Sequence, residues 1–320
     1  MQAVVQQGYG SADVLSIDTI DRPVAAKGEV VVQVHAAGMD RGTWHMMTGV
    51  PYAMRLVGGL RTPRRRVPGL DVAGVVVEVG SGVTRFRLGD EVFGIAKGSF
   101  AEFAAARESK LAPKPAGLSF QQAAALPVSG LTALQGLVDV GRLAAGQHVL
   151  IIGASGGVGT FAVQIAKALG AHVTAVCSTG KVDLVRSLGA DEVIDYATTD
   201  FADGRRHDLI LDIGGSSAIS HLRRALAPRG TLVIVGGEGG GSLVGIGRQL
   251  RARALSPFTR QRLAMVVSTV RHTDLVRLSK FVDKGQLVPS IERTYPLADT
   301  AAAMRHLAAG LARGKLVVTP

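Results

Sequence analysis

Residues 148–159 read His148-Val149-Leu150-Ile151-Ile152-Gly153-Ala154-Ser155-Gly156-Gly157-Val158-Gly159, and the fold follows from how this stretch is punctuated. His148 to Ile152 is an apolar run suited to a buried strand. Beyond the glycines, Val158, Phe161, Ala162, Ile165, Ala166 and Leu169 recur at helical spacing. A strand, a glycine turn and a helix make a phosphate site. The turn reads Ala154-x-Gly156-x-x-Gly159, with Ala in place of the first glycine of the dinucleotide fingerprint. Gly156 stands where backbone must approach a pyrophosphate, and Gly159 where the helix must pack on the strand. The backbone N–H groups of Gly157 and Val158 then face the anion at the positive end of the helix. Taken alone, the glycines also fit an ordinary tight turn.

The following apolar run, His172 to Cys177, should end at the group that reads the adenine ribose. A site for the unphosphorylated dinucleotide places Asp or Glu there, whereas this chain continues Ser178-Thr179-Gly180-Lys181. Ser178 and Thr179 can donate to phosphate oxygens and Lys181 adds charge, so the sequence favours NADP(H) over NAD(H). A helix start capped by Ser or Thr is the bland alternative.

Working outward, strands are expected near 148–153, 172–177, 192–196, 208–213 and 231–236, with helices near 158–169, 181–188 and 217–226. This alternation predicts a doubly wound α/β domain with a parallel sheet and right-handed crossovers. Its ligand should lie at the carboxyl ends of the strands, which bring up Ser155, Ser178, Tyr196 and Gly236. Tyr196 fits either packing on the adenine side or a simple edge position. A glycine-rich loop, Gly237-Glu238-Gly239-Gly240-Gly241, follows.

The first 120 residues are mostly β-branched runs broken by glycine: Val4-Val5, Val30 to Ala36, Val72 to Gly80 and Asp90 to Gly94. Between the second and third runs, residues 38–52 read as a polar and aromatic loop too varied to be only a connector. Ser119 is a fitting N-cap for a helix that Pro127 stops, and Val128 to Val140 forms another with Leu131, Leu134, Leu137 and Val138 inward. After residue 270 come a helix at 273–284, a strand from Val288 to Arg293, a helix at 298–309 and a strand from Lys315. These last pieces have no place in the alternating series and are assigned to the first domain. The cleft between the two domains is the expected active site.

Composition narrows the class. The 320 residues are 47% apolar with 41 glycines, enough for a large core. Its one cysteine, Cys177, excludes a disulfide framework and a cysteine-rich zinc site. No apolar run reaches about 18 residues, so no membrane span is expected and cytoplasm is the default compartment. The net charge of +11 raises the question of nucleic acid. Yet the basic clusters, Arg61 to Arg66 and Arg248 to Arg271, lack interleaved aromatics, so they read as solvated surface and nucleic acid is not an expected partner. A positive field also speeds capture of an anionic cofactor.

Several further motifs stand in order along the chain: Val67-Pro68-Gly69-Leu70-Asp71-Val72-Ala73-Gly74, Gly89-Asp90-Glu91-Val92-Phe93-Gly94, Leu131-Thr132-Ala133-Leu134, Leu188-Gly189-Ala190-Asp191 and Ala312-Arg313-Gly314-Lys315. With Gly153 to Gly159 they give a chain that resembles the zinc-independent medium-chain dehydrogenase/reductase superfamily, near its quinone oxidoreductase (zeta-crystallin-like) and reticulon-interacting-protein-like branch. The resemblance covers nearly the whole length. It implies a β-rich GroES-like catalytic domain at 1–123, completed by 271–320, and an NADP(H)-binding Rossmann domain at 124–270.

Where zinc-containing relatives carry a ligand Cys, this chain has Asp40, and where they carry Gly-His-Glu it has Gly69-Leu70-Asp71. Neither tetrahedral zinc site can form from these residues. Quinone oxidoreductase relatives usually have Asn-Pro at Asp40-Arg41. An ionised Asp accepts but does not donate, so Asp40 either inherits the contact at the nicotinamide end or organises its loop. By the same resemblance Thr132 lies near the carboxamide and Tyr52 lines the substrate pocket, as aromatic wall or proton donor. Ser155, Gly156, Gly157, Val158, Ser178, Lys181 and Tyr196 would hold adenosine and phosphates. Gly236 would lie near the nicotinamide, with Ala312, Arg313 and Lys315 reaching in from the C-terminal segment. His35 and His45 read as structural.

The implied activity is NADPH-dependent hydride transfer to a small electrophilic acceptor, a quinone or an α,β-unsaturated carbonyl, without metal. Two alternatives stand beside it. One is a 2-enoyl thioester reductase whose Arg-rich 248–262 stretch holds the carrier's phosphates. The other is a low-turnover NADPH-sensing or RNA-binding crystallin-like protein. A homodimer is expected through the apolar edge Leu263 to Val270.

Overall fold

A computed structural model describes residues 1–236, 245 and 247–320; the expected glycine-rich loop at 237–241 lies outside the described residues. Backbone contacts divide the chain into two units, Met1–Leu131 with Thr269–Pro320, and Thr132–Ser268. Residues 124–131 fall in the first of these.

The first unit opens with the antiparallel pair β1 (Gln2–Gln6) and β2 (Leu15–Thr19). Next comes its longest strand, β3 (Glu29–Met39), rich in valine and buried at most positions. The stretch expected as a loop then contains a helix, α1 (Arg41–Thr48), followed by a single turn, α2 (Arg55–Gly58). Strands β4 (Asp71–Val79), β5 (Glu91–Ile95), β6 (Phe103–Arg107) and β7 (Leu111–Pro113) complete the β-rich portion. Ser119 caps α3 (Phe120–Ala125) in a reciprocal box with Gln122, satisfying two backbone donors. Pro127 opens α4 (Pro127–Leu134), where its missing N–H costs nothing, and a π-helical segment, Gln135–Val140, continues it.

The second unit is the alternating series. It runs β8 (His148–Ile152), α5 (Gly157–Ala168), β9 (His172–Cys177), α6 (Val182–Ser187), β10 (Glu192–Asp195), β11 (His207–Asp212), α7 (Ile219–Arg224), β12 (Leu226–Ile234), α8 (Gly247–Leu255) and β13 (Arg262–Met265). The sheet order is β10-β9-β8-β11-β12-β13, with every pairing parallel. This is the doubly wound Rossmann arrangement: chain order reverses on either side of β8, and the switch point opens at the strand ends. Val149, Leu150 and Ile151 are fully buried, as a central strand covered on both faces requires.

The chain then returns to the first unit through α9 (His272–Asp283), β14 (Ile291–Pro296), α10 (Thr300–Ala308) and β15 (Lys315–Thr319). The strand expected at 288–293 begins later because its partner sets the register, Ile291 standing opposite Lys315 in a parallel pair. β15 also pairs antiparallel with β3, giving a mixed sheet in the order β14-β15-β3-β4-β5-β7, with β6 on β3. This GroES-like unit has one core, in which Val30, Val32, Met39, Phe100 and Leu316 meet. Each fully buried side chain of this size contributes about 1.5–3 kcal/mol of transfer free energy. Among the described residues no helix is long and apolar enough to cross a membrane.

Candidate functional site

In the second unit, Gly153 ends β8 with φ +84°, a left-handed backbone that favours glycine. A Cβ on Gly159 would lie 2.2 Å from the Gly153 carbonyl oxygen and 2.6 Å from the backbone of Ala154. The first turn of α5 therefore sits directly on the strand's end, the close approach read from the sequence. Gly156 is the N-cap of α5; among the described residues no side chain caps the helix and a Cβ there would meet only the Gly153 oxygen, at 3.6 Å. Donors at a helix start without a side-chain cap, beside open space, fit a phosphate. Ser155, within this turn, is buried.

The parallel register brings Ser155, Ser178, Lys181, Tyr196 and Gly236 to one edge, beyond the carboxyl ends of β8, β9, β10 and β12. Tyr196 is 64% exposed there. Gly236 is needed for a different reason, since a Cβ would fall 2.1 Å from the Ile213 carbonyl oxygen. Thr132 lies on α4 and is buried.

One neighbour was invisible in the linear reading of the ribose end. Asp195 pairs in register with Cys177, and the Thr179 hydroxyl donates to its carboxylate. That bond, with the Ala197 N–H 2.9 Å away, holds the carboxyl below its ordinary range. A carboxylate does stand beside the end of β9, and Thr179 is engaged with it.

The Arg-rich stretch also departs from the expectation of solvated surface at its first residue. Arg248 is mostly buried and pairs with Asp212 at the end of β11, while its Nε donates to the Ser217 carbonyl at 2.9 Å. Burial pushes Asp212 up, against the pull of Arg248.

In the first unit, the residues that gather are Asp40, Asp71 and Lys315. Asp40 is the N-cap of α1, its Oδ1 accepting from the Thr43 N–H at 2.8 Å. Asp71 opens β4 with no exposed surface; Oδ1 accepts from the Val128 N–H at 3.0 Å and Oδ2 from Lys315 Nζ at 3.2 Å. Lys315, assigned by resemblance to the cofactor, is 1% exposed and also donates to Ser129 Oγ at 3.2 Å. Burial raises Asp71 to about 7, with Lys315 pulling it down and Asp40 pushing it up. Ala312 is buried and Arg313 exposed, its N–H donating to Glu292 at 2.7 Å.

Tyr52 follows α1 in a short turn and is 47% exposed, with the Arg55 guanidinium 4.7 Å from its ring centre. The same guanidinium lies 4.5 Å from the ring of Tyr9 on the same unit. His45 is engaged structurally, its Nδ1 at 2.7 Å from the Val50 carbonyl, and His35 stacks on Phe120.

Residues 26–116 match the alcohol dehydrogenase GroES-like domain family, and residues 188–318 match the zinc-binding dehydrogenase family. Along 99% of its length the chain is 35% identical to the mouse mitochondrial NAD(P)H oxidoreductase RTN4IP1, covering 89% of that protein. It is 32% identical to the chloroplast envelope quinone oxidoreductase homolog of Arabidopsis thaliana, over 100% of this chain and 98% of the other. The quinone oxidoreductase structure from Coxiella burnetii superimposes with a TM-score of 0.89 at 29% identity, covering 100% and 99% of the two chains. The chain belongs to the medium-chain dehydrogenase/reductase superfamily, in its quinone oxidoreductase branch.

No group of three His, Cys, Asp or Glu among the described residues could hold a metal ion. Asp71 is tied to an ammonium and a backbone N–H, and one Asp40 oxygen to Thr43. That donor set does not fit a tetrahedral zinc.

Proposed function

We propose that this oxidoreductase uses NADPH to reduce a quinone or an α,β-unsaturated carbonyl, with no metal in the reaction. The observation that carries the reading is the Gly153–Gly159 cradle at the uncapped start of α5, in a chain of quinone oxidoreductase type. Hydride is what the bound reduced nicotinamide supplies. The chain's own residues bind and orient. The turn takes the pyrophosphate on backbone N–H groups, and Ser178 and Lys181 take the 2′-phosphate, Lys181 by charge. Tyr196 offers a face to the adenine and Gly236 leaves room for close approach. In the first unit, Tyr52 borders the acceptor, and its hydroxyl or solvent supplies the proton that the reduced oxygen needs.

Calorimetric titration of the protein with NADPH and NADH, followed by an acceptor screen using the tighter one, tests this. NADPH should bind at least about tenfold more tightly, a difference of about 1.4 kcal/mol. A 1,4-quinone or simple enone should then outpace a crotonyl thioester. Equal affinity for the two nucleotides ends the NADPH assignment, and faster thioester turnover ends the acceptor assignment. Among the described residues β13 stands at the edge of its sheet, which supports a homodimer by strand pairing. Sedimentation at the mass of one 33.2 kDa chain ends that part.

A further inference from the structure

We infer that Lys315 is a built-in counter-cation for buried Asp71, and that Lys315, Asp40 and Asp71 together form a proton-holding group that positions the segment leading to Tyr52.

The three side chains come from the end of β3, the start of β4 and the start of β15, and none is more than 8% exposed. Asp71 and Lys315 are 244 residues apart in the chain and 3.2 Å apart in space. Every polar atom of the pair has a local partner. Val128 N–H serves Asp71 Oδ1, Asp71 Oδ2 faces Nζ, and Ser129 Oγ takes a further bond from the ammonium. Their environment is tight, since a Cβ on Gly38 would lie 2.9 Å from Asp71 Oδ2 and 2.3 Å from the Ala124 carbonyl oxygen.

Two carboxylates against one ammonium leave one negative charge in excess. Buried charge of that kind is costly, and one bound proton cancels it. The charged groups acting on Asp71 are Lys315 on β15 and Asp40 at the end of β3; α4 contributes the Val128 N–H to Asp71 and the Ser129 hydroxyl to the ammonium. Burial raises Asp71 to about 7 against the pull of Lys315 and the Val128 N–H, with Asp40 adding to the rise, so the proton exchanges near neutrality. Asp40 Oδ2 is buried and has no hydrogen-bond partner among the described residues. Its Oδ1 meanwhile caps α1. The residue that faces Asp71 therefore also holds the start of the helix that leads to Tyr52. Asp40, Asp71 and Lys315 act as positioning residues, and only their link to turnover rests on the proposed reduction.

Four variants decide the matter: Lys315→Met, Lys315→Arg, Asp71→Asn and the double Lys315→Met/Asp71→Asn. Thermal midpoints are read at about pH 6 and about pH 8, on either side of Asp71's value of about 7, with and without zinc or EDTA. Infrared titration of the carboxyl band in wild type and Asp71→Asn reads the proton directly. Calorimetry with NADPH completes the set. Lys315→Met should lose more stability at the higher pH, because ionised Asp71 then has no compensating charge. The double variant should lose that pH dependence and Lys315→Arg should keep most of the midpoint. A carboxyl band should titrate near neutrality in wild type and be missing in Asp71→Asn. Zinc and EDTA should leave the midpoint unchanged, and NADPH affinity should move by less than about twofold in Lys315→Met.

Equal losses at both pH values, with no relief in the double variant, overturn the proposal. So does a stoichiometric zinc retained by the protein. A tenfold or so fall in NADPH affinity with an unchanged pH profile would return Lys315 to the cofactor. If Lys315→Met fails to fold, the infrared titration of wild type against Asp71→Asn still decides. None of these readouts requires turnover, so failure of the reduction reading is seen separately, in the acceptor screen.

Discussion

The hydroxyl of Thr179 donates to the carboxylate of Asp195, joining the residues that follow β9 to the last residue of β10. A carboxylate thus flanks the place where a 2′-phosphate is proposed to bind. Asp195→Asn removes that negative charge while keeping an acceptor for Thr179. Solvent screening limits the gain to about two- to fivefold tighter NADPH binding. NADH affinity should stay put. Calorimetric titration of both nucleotides checks it, and an unchanged ratio removes Asp195 from cofactor selection.

Gly159→Ala puts a methyl group 2.2 Å from the Gly153 carbonyl oxygen. The first turn of α5 must then lift from the strand. Overpacking of this kind costs about 1–3 kcal/mol, read as a lower denaturant midpoint, and NADPH affinity should fall with it. Gly156→Ala meets no such neighbour in the protein, so any loss there should appear in nucleotide binding and not in the unfolding curve.

His207 is buried at the start of β11 with no hydrogen-bond partner on either ring nitrogen among the described residues. Burial, with His148 and Arg205 nearby, lowers it from 6.5 to about 4. The folded protein keeps the ring neutral, so between those two values the unfolded chain binds the additional proton. Stability from this group is complete above about pH 6.5 and drains away as pH falls toward 4. His207→Leu should flatten that acid limb by about 2–3 kcal/mol in urea unfolding across the window. An unaltered slope would show that the ring is not the group responsible.

Arg248→Leu leaves the Asp212 carboxylate buried without its cation. A single removal of this type costs about 3–5 kcal/mol, and Arg248→Leu/Asp212→Asn should recover much of it. A double-mutant cycle in guanidinium unfolding gives the coupling directly.

The alternation of the second unit could be read from the chain because each strand is an apolar run and each helix carries a 3.6-residue period, so pattern and burial coincide. Much of the first unit resists such reading. β2 is exposed along nearly all its length, and its place is set by pairing with β1. The α1 helix was expected as a loop because Gly42 and Thr43 dilute its period. What fixes it is the Asp40 cap, and Asp followed three residues later by Thr is no capping box. The cluster of Asp40, Asp71 and Lys315 has no local signature at all, since its members meet only after β15 has joined β3. The link between Asp195 and Thr179 has no linear signature for a related reason, since it comes from the neighbouring strand.

The order in which strands enter the two sheets also bears on how the polypeptide matures during synthesis. Residues 132–268 are contiguous, and every strand of their sheet is synthesised before β14. β3, by contrast, is translated early and gains β15 only some 280 residues later. Until then its far end has one hydrogen-bonding side vacant and Asp71 lacks its lysine, so the nascent first unit waits on the ribosome while the second can already close.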